Sequence, residues 1–141
     1  MTNLVILAAQ FNSELIDKMI QSAIQEAEAV DAKIVEVVRV PGSYEIPLPA
    51  SLHIARPDVD ALVVLGYIER GETLHGQVMG QVVQSSLVSL EIAHSKPIGI
   101  GIIGPGATPE QAAVRWDDYA RAAVRAAAQM SALTKQMKLK T

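Results

Sequence analysis

The chain has 141 residues, of which 50% are hydrophobic and 19% charged, with a net charge of -3 and a pI near 5.6. These values suit a single folded domain over residues 1–141, and the acidic balance argues against a protein that binds nucleic acid. The absence of cysteine excludes disulfides, thiolate metal sites and a cysteine nucleophile. No apolar run reaches the roughly 18 residues of a membrane span, so we expect a soluble, cytoplasmic protein without membrane partners.

Strands and helices alternate along the sequence. Short apolar runs rich in β-branched residues, typical of buried parallel strands, lie at 4–9, 34–40, 61–67 and 97–103. Helical patterns lie at 13–30, which opens at Ser13 as its expected N-cap, at 46–56 and at 74–94. A last, continuous helix is expected to begin at the capping box of Thr108 and Gln111. This order predicts a flavodoxin-like, three-layer α/β/α sandwich with a four-stranded parallel sheet.

The helix predicted at 74–94 carries an apolar stripe that is wide for one contact surface. It comprises Val78, Met79, Val82, Val83, Leu87, Leu90 and Ala93. Two interpretations remain open at this stage. Either the apolar side chains beyond one contact surface form a subunit interface, or the helix is enclosed on both sides within the monomer.

Chemistry-bearing residues follow the predicted strands, at the sheet edge where ligands bind in open α/β folds. The segments are Gln10-Phe11-Asn12, PGSYEIP at 41–47, ERGETLH at 69–75 and GPGATPEQAAVR at 104–115. Phe11 is either a core residue or a partly exposed ring on which a flat ligand stacks. The turn at PGSYEIP directs backbone groups outward, where they suit the edge of a heterocycle.

The segment RGETLH predicts an anion site. Gly71 permits a tight turn that leaves the N–H groups of Glu72 and Thr73 at a helix N-terminus. The alternative is that the negative charge of Glu72 simply stabilises that helix N-terminus. His75, expected one turn into that helix, suits proton transfer. Arg115, expected about two turns into the last helix, is either solvated or reaches a phosphate bound near Thr73. No metal-ligand or Walker motif is present.

Four segments, taken in order, resemble the lumazine synthase family: F-N, V-P-G-S-Y-E-I-P, G-x-I-x-R-G-E-T-x-H and T-x-E-Q-A-x-x-R. The resemblance extends over about residues 5–130, and the GPG loop at 104–106 resembles archaeal members. It implies a transferase of riboflavin biosynthesis that needs no metal or cofactor. Its reaction condenses 5-amino-6-(D-ribitylamino)uracil with 3,4-dihydroxy-2-butanone 4-phosphate to give 6,7-dimethyl-8-ribityllumazine, the penultimate step of the pathway.

The resemblance also implies roles for residues that match the family motifs. It implies that Phe11 stacks on the pyrimidine and that His75 moves protons. It implies phosphate binding by Glu72, Thr73 and Arg115. The residues expected to contact the pyrimidine and ribityl chain are Phe11, Asn12, Ser43, Tyr44, Glu45, Tyr67, Ile68, Glu69 and Ile100.

The resemblance also implies that the chain associates with copies of itself, and it leaves alternative functions open. The family implies a homopentamer with sites between subunits, in many members closed into an icosahedral 60-mer, and we expect at least a pentamer. Glu69 replaces a usual aliphatic residue, and Ile100 replaces a phenylalanine offered across the subunit boundary. Both substitutions leave an alternative open: a homologue with reduced catalysis that forms a shell or binds a flavin or a ribityl-pyrimidine. RGETLH argues against the related archaeal-type riboflavin synthase, and the lack of a hydroxyl-rich loop after the first strand argues against a flavodoxin.

Overall fold

Four parallel strands form the centre of the structure, a computed structural model that describes residues 1–141. They lie in the order β2-β1-β3-β4 and comprise β1 (Thr2–Ala9), β2 (Ala32–Val40), β3 (Ala61–Glu69) and β4 (Ile98–Ala107). The helices are α1 (Ser13–Ala29), α2 (Pro47–Ile54), α3 (His75–His94), α4 (Pro109–Ala113) and α5 (Trp116–Leu139). The predicted flavodoxin-like sandwich with a four-stranded parallel sheet is confirmed.

Two hydrophobic cores lie on opposite faces of the sheet, because successive side chains of a strand point to opposite sides. On β1, Leu4 and Ile6 belong to the core under α1 and α5, whereas Val5 and Leu7 belong to the core under α2 and α3. All four side chains are fully buried. Burial on both faces explains why the central strands are continuous apolar runs rather than alternating ones.

Helix α5 approaches β4 closely at two glycines. A β-carbon on Gly99 would overlap the backbone carbonyl of Ala123, and one on Gly101 would lie 3.1 Å from the backbone carbonyl oxygen of Tyr119. The missing side chains therefore let the backbone of α5 settle directly on the sheet. Such close approach compensates for a core that contains few large aromatic residues.

Helix α3 packs on the sheet with one side only. Gly80, Val83 and Leu87 are buried, whereas Val78 is 50% and Val82 48% exposed. The interpretation in which α3 is enclosed on both sides within the chain is therefore wrong. Neither α3 nor any other helix has the combined length and hydropathy needed to cross a membrane.

The first two helices begin differently from the prediction. Asn12, not Ser13, is the N-cap of α1, and it adopts the left-handed conformation with φ 58° and ψ 50°. Asparagine tolerates this conformation better than other non-glycine residues, so the chain can turn sharply from β1 into α1. The helix expected at 46–56 is preceded by a separate 3₁₀ turn at Ser43–Glu45, and α2 itself ends at Ile54.

The predicted last helix is broken in two. The capping box of Thr108 and Gln111 is confirmed and starts α4, but a new helix begins at Trp116. Asp117 lies in the first turn of α5, where a negative charge is favourable, and accepts a 2.6 Å hydrogen bond from Ser22 of α1. This hydrogen bond, with help from Arg121, holds the pKa of Asp117 below its ordinary value. Contact with α1 thus supports the second helix start, which Asp117 and Asp118 in the first turn also favour.

We expect Gly99→Ala to lower the free energy of unfolding by about 3 kcal/mol, because the added methyl group would push α5 away from the sheet. Chemical denaturation measures the change. Gly71→Ala is the matched control: no atom lies within 4 Å of a β-carbon at that position, so the effect should stay below about 1 kcal/mol. Equal stabilities of the two variants would contradict the close contact between α5 and β4.

Candidate active site

A cleft of about 460 Å³ opens beyond the carboxyl ends of β1, β2 and β3. It is lined by residues 41–45 and 67–71 together with Phe11, His75, Gly76 and Met79. Eight of the predicted site residues are in this lining: Phe11, Ser43, Tyr44, Glu45, Tyr67, Ile68, Glu69 and His75. The volume and the mixture of aromatic, aliphatic and charged groups suit a small organic ligand.

Other parts of the surface are less suited to the predicted chemistry. A second depression of about 440 Å³ lies at the opposite edge of the sheet, around Thr2, Asp31 and Arg125, and none of the predicted site residues lines it. No group of three or more His, Asp or Glu side chains lies close enough together to hold a metal ion. The cleft is therefore the candidate active site.

Phe11 presents an accessible ring at one wall of the cleft. Its backbone N–H donates to the carbonyl of Pro41 at 3.2 Å, and the N–H of Gln10 donates to Val40 at 2.7 Å. These bonds continue the pairing of β1 and β2 beyond the strand ends. The Phe11 side chain is 52% exposed, so the interpretation as a core residue is wrong.

The 3₁₀ turn at Ser43–Glu45 forms the facing wall. It is closed by hydrogen bonds from Glu45 N–H to the Gly42 carbonyl at 3.1 Å and from Ile46 N–H to the Ser43 carbonyl at 3.2 Å. Ser43 is buried against β3, where a β-carbon on Gly66 would lie 3.0 Å from the Ser43 hydroxyl oxygen. Glycine at 66 therefore leaves room for the turn to lie close to the strand.

The start of α3 closes the third side. His75 is the first residue of the helix rather than one turn inside it, and its N–H donates to Thr73 Oγ1 at 3.3 Å. Glu72 and Thr73 precede the helix, so the expectation that their N–H groups form its N-terminus is wrong. The first-turn N–H groups belong to residues 75–77 instead. The His75 imidazole is exposed and lies edge-to-face with Tyr44, with ring centroids 6.0 Å apart.

Six further residues of the cleft were not among the predicted site residues: Pro41, Gly42, Arg70, Gly71, Gly76 and Met79. A β-carbon on Gly76 would lie 3.4 Å from both the Glu69 carbonyl and the Ile68 side chain, so glycine lets α3 start close to β3. Met79 follows His75 by four residues and therefore shares its helix face. That spacing was the one signal in the sequence that could have placed Met79 in the cleft.

Tyr67 lines the cleft, but its ring packs in the core under α1 and α5. Its hydroxyl donates to the Ala107 carbonyl at 3.0 Å. Burial raises the pKa of Tyr67, and the negative charges of Glu69 and Glu110 raise it further. The ring predicted to touch the substrate therefore packs on the opposite face of the sheet from Ile68.

Two predicted substrate contacts lie outside the cleft of their own chain. Asn12 borders a separate depression together with Ser13 and Lys18. Ile100 is half-buried on β4 and packs against the core under α2 and α3. A single chain does not bring either side chain to the residues around Tyr44.

The predicted phosphate ligands are not assembled within one chain. Glu72 and Thr73 are exposed in the turn before α3 and do not line the cleft. Arg115, at the N-cap of α5, is also exposed, and its Nη1 donates to the Gln111 carbonyl at 3.0 Å. The helix break at residues 114–115 removes the geometry expected for an arginine two turns into a helix.

Comparison with known proteins identifies the family. Residues 1–135 match the family model of 6,7-dimethyl-8-ribityllumazine synthase. The chain belongs to this family. Lumazine synthases similar to it include proteins from Staphylothermus marinus (40% identical; 99% of this chain, 93% of the relative), Metallosphaera sedula (38%; 94% and 87%) and Pyrobaculum neutrophilum (37%; 98% and 92%). The resemblance to the lumazine synthase family, archaeal members included, is confirmed.

We expect Tyr67→Phe to lower the free energy of unfolding by about 1 kcal/mol, because a hydrogen bond from a buried hydroxyl is lost. The Ala107 carbonyl would keep its second donor, the Arg70 N–H at 2.9 Å, which limits the cost. Turnover should remain within about twofold of wild type, since the hydroxyl is engaged by the Ala107 carbonyl. A large loss of turnover with unchanged stability would restore Tyr67 as a substrate contact.

Proposed function

We propose that the protein condenses 5-amino-6-(D-ribitylamino)uracil with 3,4-dihydroxy-2-butanone 4-phosphate to give 6,7-dimethyl-8-ribityllumazine. The observation that carries the proposal is the cleft between Phe11, the turn at Ser43–Glu45 and His75, at the carboxyl edge of a parallel sheet in a lumazine synthase family chain. One wall offers an aromatic face, another offers backbone and carboxylate groups, and the third offers an imidazole. This combination suits a flat, polar heterocycle that must react beside a proton-transfer group.

The pyrimidine would stack on the exposed ring of Phe11. Its polar edge and the ribityl chain would then meet the Ser43–Glu45 turn, where Glu45 is exposed and can accept hydrogen bonds from N–H or O–H groups. Glu69, at the end of β3, adds a second acceptor to the lining. Ile68 provides an apolar contact between them.

The phosphate of the second substrate would lie at the start of α3. The dipole and free N–H groups of a helix N-terminus favour a dianion there, next to Glu72 and Thr73. Since Arg115 does not line the cleft of its own chain, we place its guanidinium at the cleft of a neighbouring chain. A planar guanidinium fork would stabilise the phosphate both when bound and when it departs.

Rate enhancement would come chiefly from positioning. Holding the amine and the ketone in one cleft converts a bimolecular condensation into an effectively intramolecular one. His75 would then assist proton transfers as the imine forms and phosphate leaves. The reaction as written requires no metal or cofactor.

The exposed apolar surface of α2 and α3 supports assembly. Leu48 is 72%, Leu52 65% and Ile92 76% exposed, in addition to the half-exposed Val78 and Val82 of α3. Apolar side chains grouped in this way mark association surfaces. We propose that this surface joins chains in a homopentamer in which each cleft receives Arg115 from a neighbour. The icosahedral 60-mer and the cytoplasmic location stay predictions.

The alternative of a catalytically reduced shell-forming or ligand-binding homologue is not favoured. The relatives reported above all carry the name of the synthase, and Glu69 lines the cleft without filling it.

Steady-state lumazine formation, followed optically, tests the function. Wild type should exceed the uncatalysed background clearly. Arg115→Ala should raise the KM for the phosphate substrate by about 10- to 100-fold, the worth of hydrogen bonds to a charged group. Arg125→Ala, which removes an exposed arginine paired with Glu26, is the matched control and should behave like wild type. Wild-type turnover at limiting phosphate substrate in Arg115→Ala would refute the phosphate assignment.

Native mass measurement at micromolar concentration should give a complex of at least five chains of 15.1 kDa. Val82→Asp should weaken the complex, because it would place a charge within the proposed apolar contact. Leu139→Asp is the control, since Leu139 is 88% exposed as the last residue of α5, a helix that packs on the other face of the sheet from α3. A monomeric wild-type protein would contradict the proposed assembly.

A further inference from the structure

Tyr44 is the aromatic residue that packs against the imidazole of His75. Their ring centroids are 6.0 Å apart and their planes are inclined by 66°, an edge-to-face arrangement. Aromatic pairs attract each other at this distance and inclination. Both rings line the cleft, so their contact lies where the chemistry is proposed to occur.

The backbone of Tyr44 is held rigidly. Both residues that flank it in the 3₁₀ turn are held in place. Ser43 is buried, at 5% exposure, and the N–H of Glu45 donates to the Gly42 carbonyl at 3.1 Å. Ile46, at the end of the turn, is fully buried in the core under α2 and α3. Tyr44 itself is 41% exposed, so its ring projects from a fixed base into the cleft.

The imidazole of His75 has much less support from hydrogen bonds than that of His53. Both ring nitrogens of His53 face acceptors, the Pro49 carbonyl at 2.8 Å and Glu36 Oε2 at 3.4 Å. The hydrogen bond of His75 is made by its backbone N–H, which donates to Thr73. The ring nitrogens of His75 are thus left for the substrate, and the orientation of the ring depends on packing.

We propose that Tyr44 is a positioning residue, whose ring holds the His75 imidazole in the orientation in which a ring nitrogen faces the reacting atoms. Tyr44 acts through His75 and not through its hydroxyl. This role rests on the proposed function, because it assigns to Tyr44 the support of the proton-transfer group of that reaction. It differs from the substrate contact that the family resemblance implies for this position.

The kinetic consequence is a change in kcat with little change in either KM, because the turn is proposed to meet the substrate through its backbone and the Glu45 carboxylate, whereas the Tyr44 ring orients a catalytic group. Tyr44→Ala should lower kcat by about fivefold, within the range that one aromatic pair supplies. Tyr44→Phe keeps the ring and should retain wild-type kcat. Tyr119→Ala is the control: Tyr119 is a similarly exposed tyrosine, at 39%, on α5.

The deciding experiment is a double-mutant cycle with His75→Ala. If Tyr44 acts through His75, then adding Tyr44→Ala to the slower His75→Ala enzyme should cause no further loss of kcat. Tyr44→Leu, which keeps an apolar side chain without a ring, should repeat the behaviour of Tyr44→Ala and serves where the alanine variant does not fold. Losses that multiply, or a Tyr44→Phe enzyme as slow as Tyr44→Ala, would overturn the role. An inactive wild type would refute the proposed function and this role with it, whereas an active wild type with multiplying losses would refute the role alone.

Discussion

The candidate site depends on the hydrogen bonding of β1 and β2 beyond their last strand residues. The N–H groups of Gln10 and Phe11 donate to the carbonyls of Val40 and Pro41, so the two chain segments leave the sheet side by side. This pairing places the Phe11 ring opposite the turn at Ser43–Glu45 and thereby defines the width of the cleft. Without it, the aromatic wall and the polar wall would be parts of two independent loops. The parallel sheet adds the end of β3 at the same edge, and α3 then closes the third side.

Small residues set how closely the surrounding elements approach this framework. Gly66 admits the Ser43 turn against β3, Gly76 admits the start of α3, and Gly99 admits the backbone of α5 on the far face. In each case a β-carbon would come within 3.4 Å of a neighbouring atom. Helix α3 is covered on one side only. The chain thus has a well-buried sheet and an apolar outer surface on α2 and α3. Both fit a composition rich in small and aliphatic residues.

Much of the fold could be predicted from local patterns, because the four apolar runs and the helical period of residues 13–30 are strong. The position of Phe11 was ambiguous in sequence, and pairing with Pro41 decided it. The second helix start at Trp116 was missed, although Asp117 and Asp118 in its first turn are a local start signal. The hydrogen bond from Ser22 of α1 to Asp117 is a tertiary contact that no local pattern shows. Successive side chains of a strand point to opposite faces of the sheet, so Tyr67 faces the core under α1 and α5 when Ile68 faces the core under α2 and α3. Motif matching does not take this alternation into account. Arg115 and Ile100 do not line the cleft of their own chain, so the substrate contacts that the family motifs imply for them are not formed within one chain.

A crystal structure of the protein with 6,7-dimethyl-8-ribityllumazine bound would show directly whether the cleft is the substrate site. We expect the ring system to lie on Phe11, with its polar edge against the turn at Ser43–Glu45 and His75 within hydrogen-bond reach of the ligand. A ligand bound elsewhere, for example in the depression around Thr2 and Asp31, with the cleft empty, would contradict this expectation.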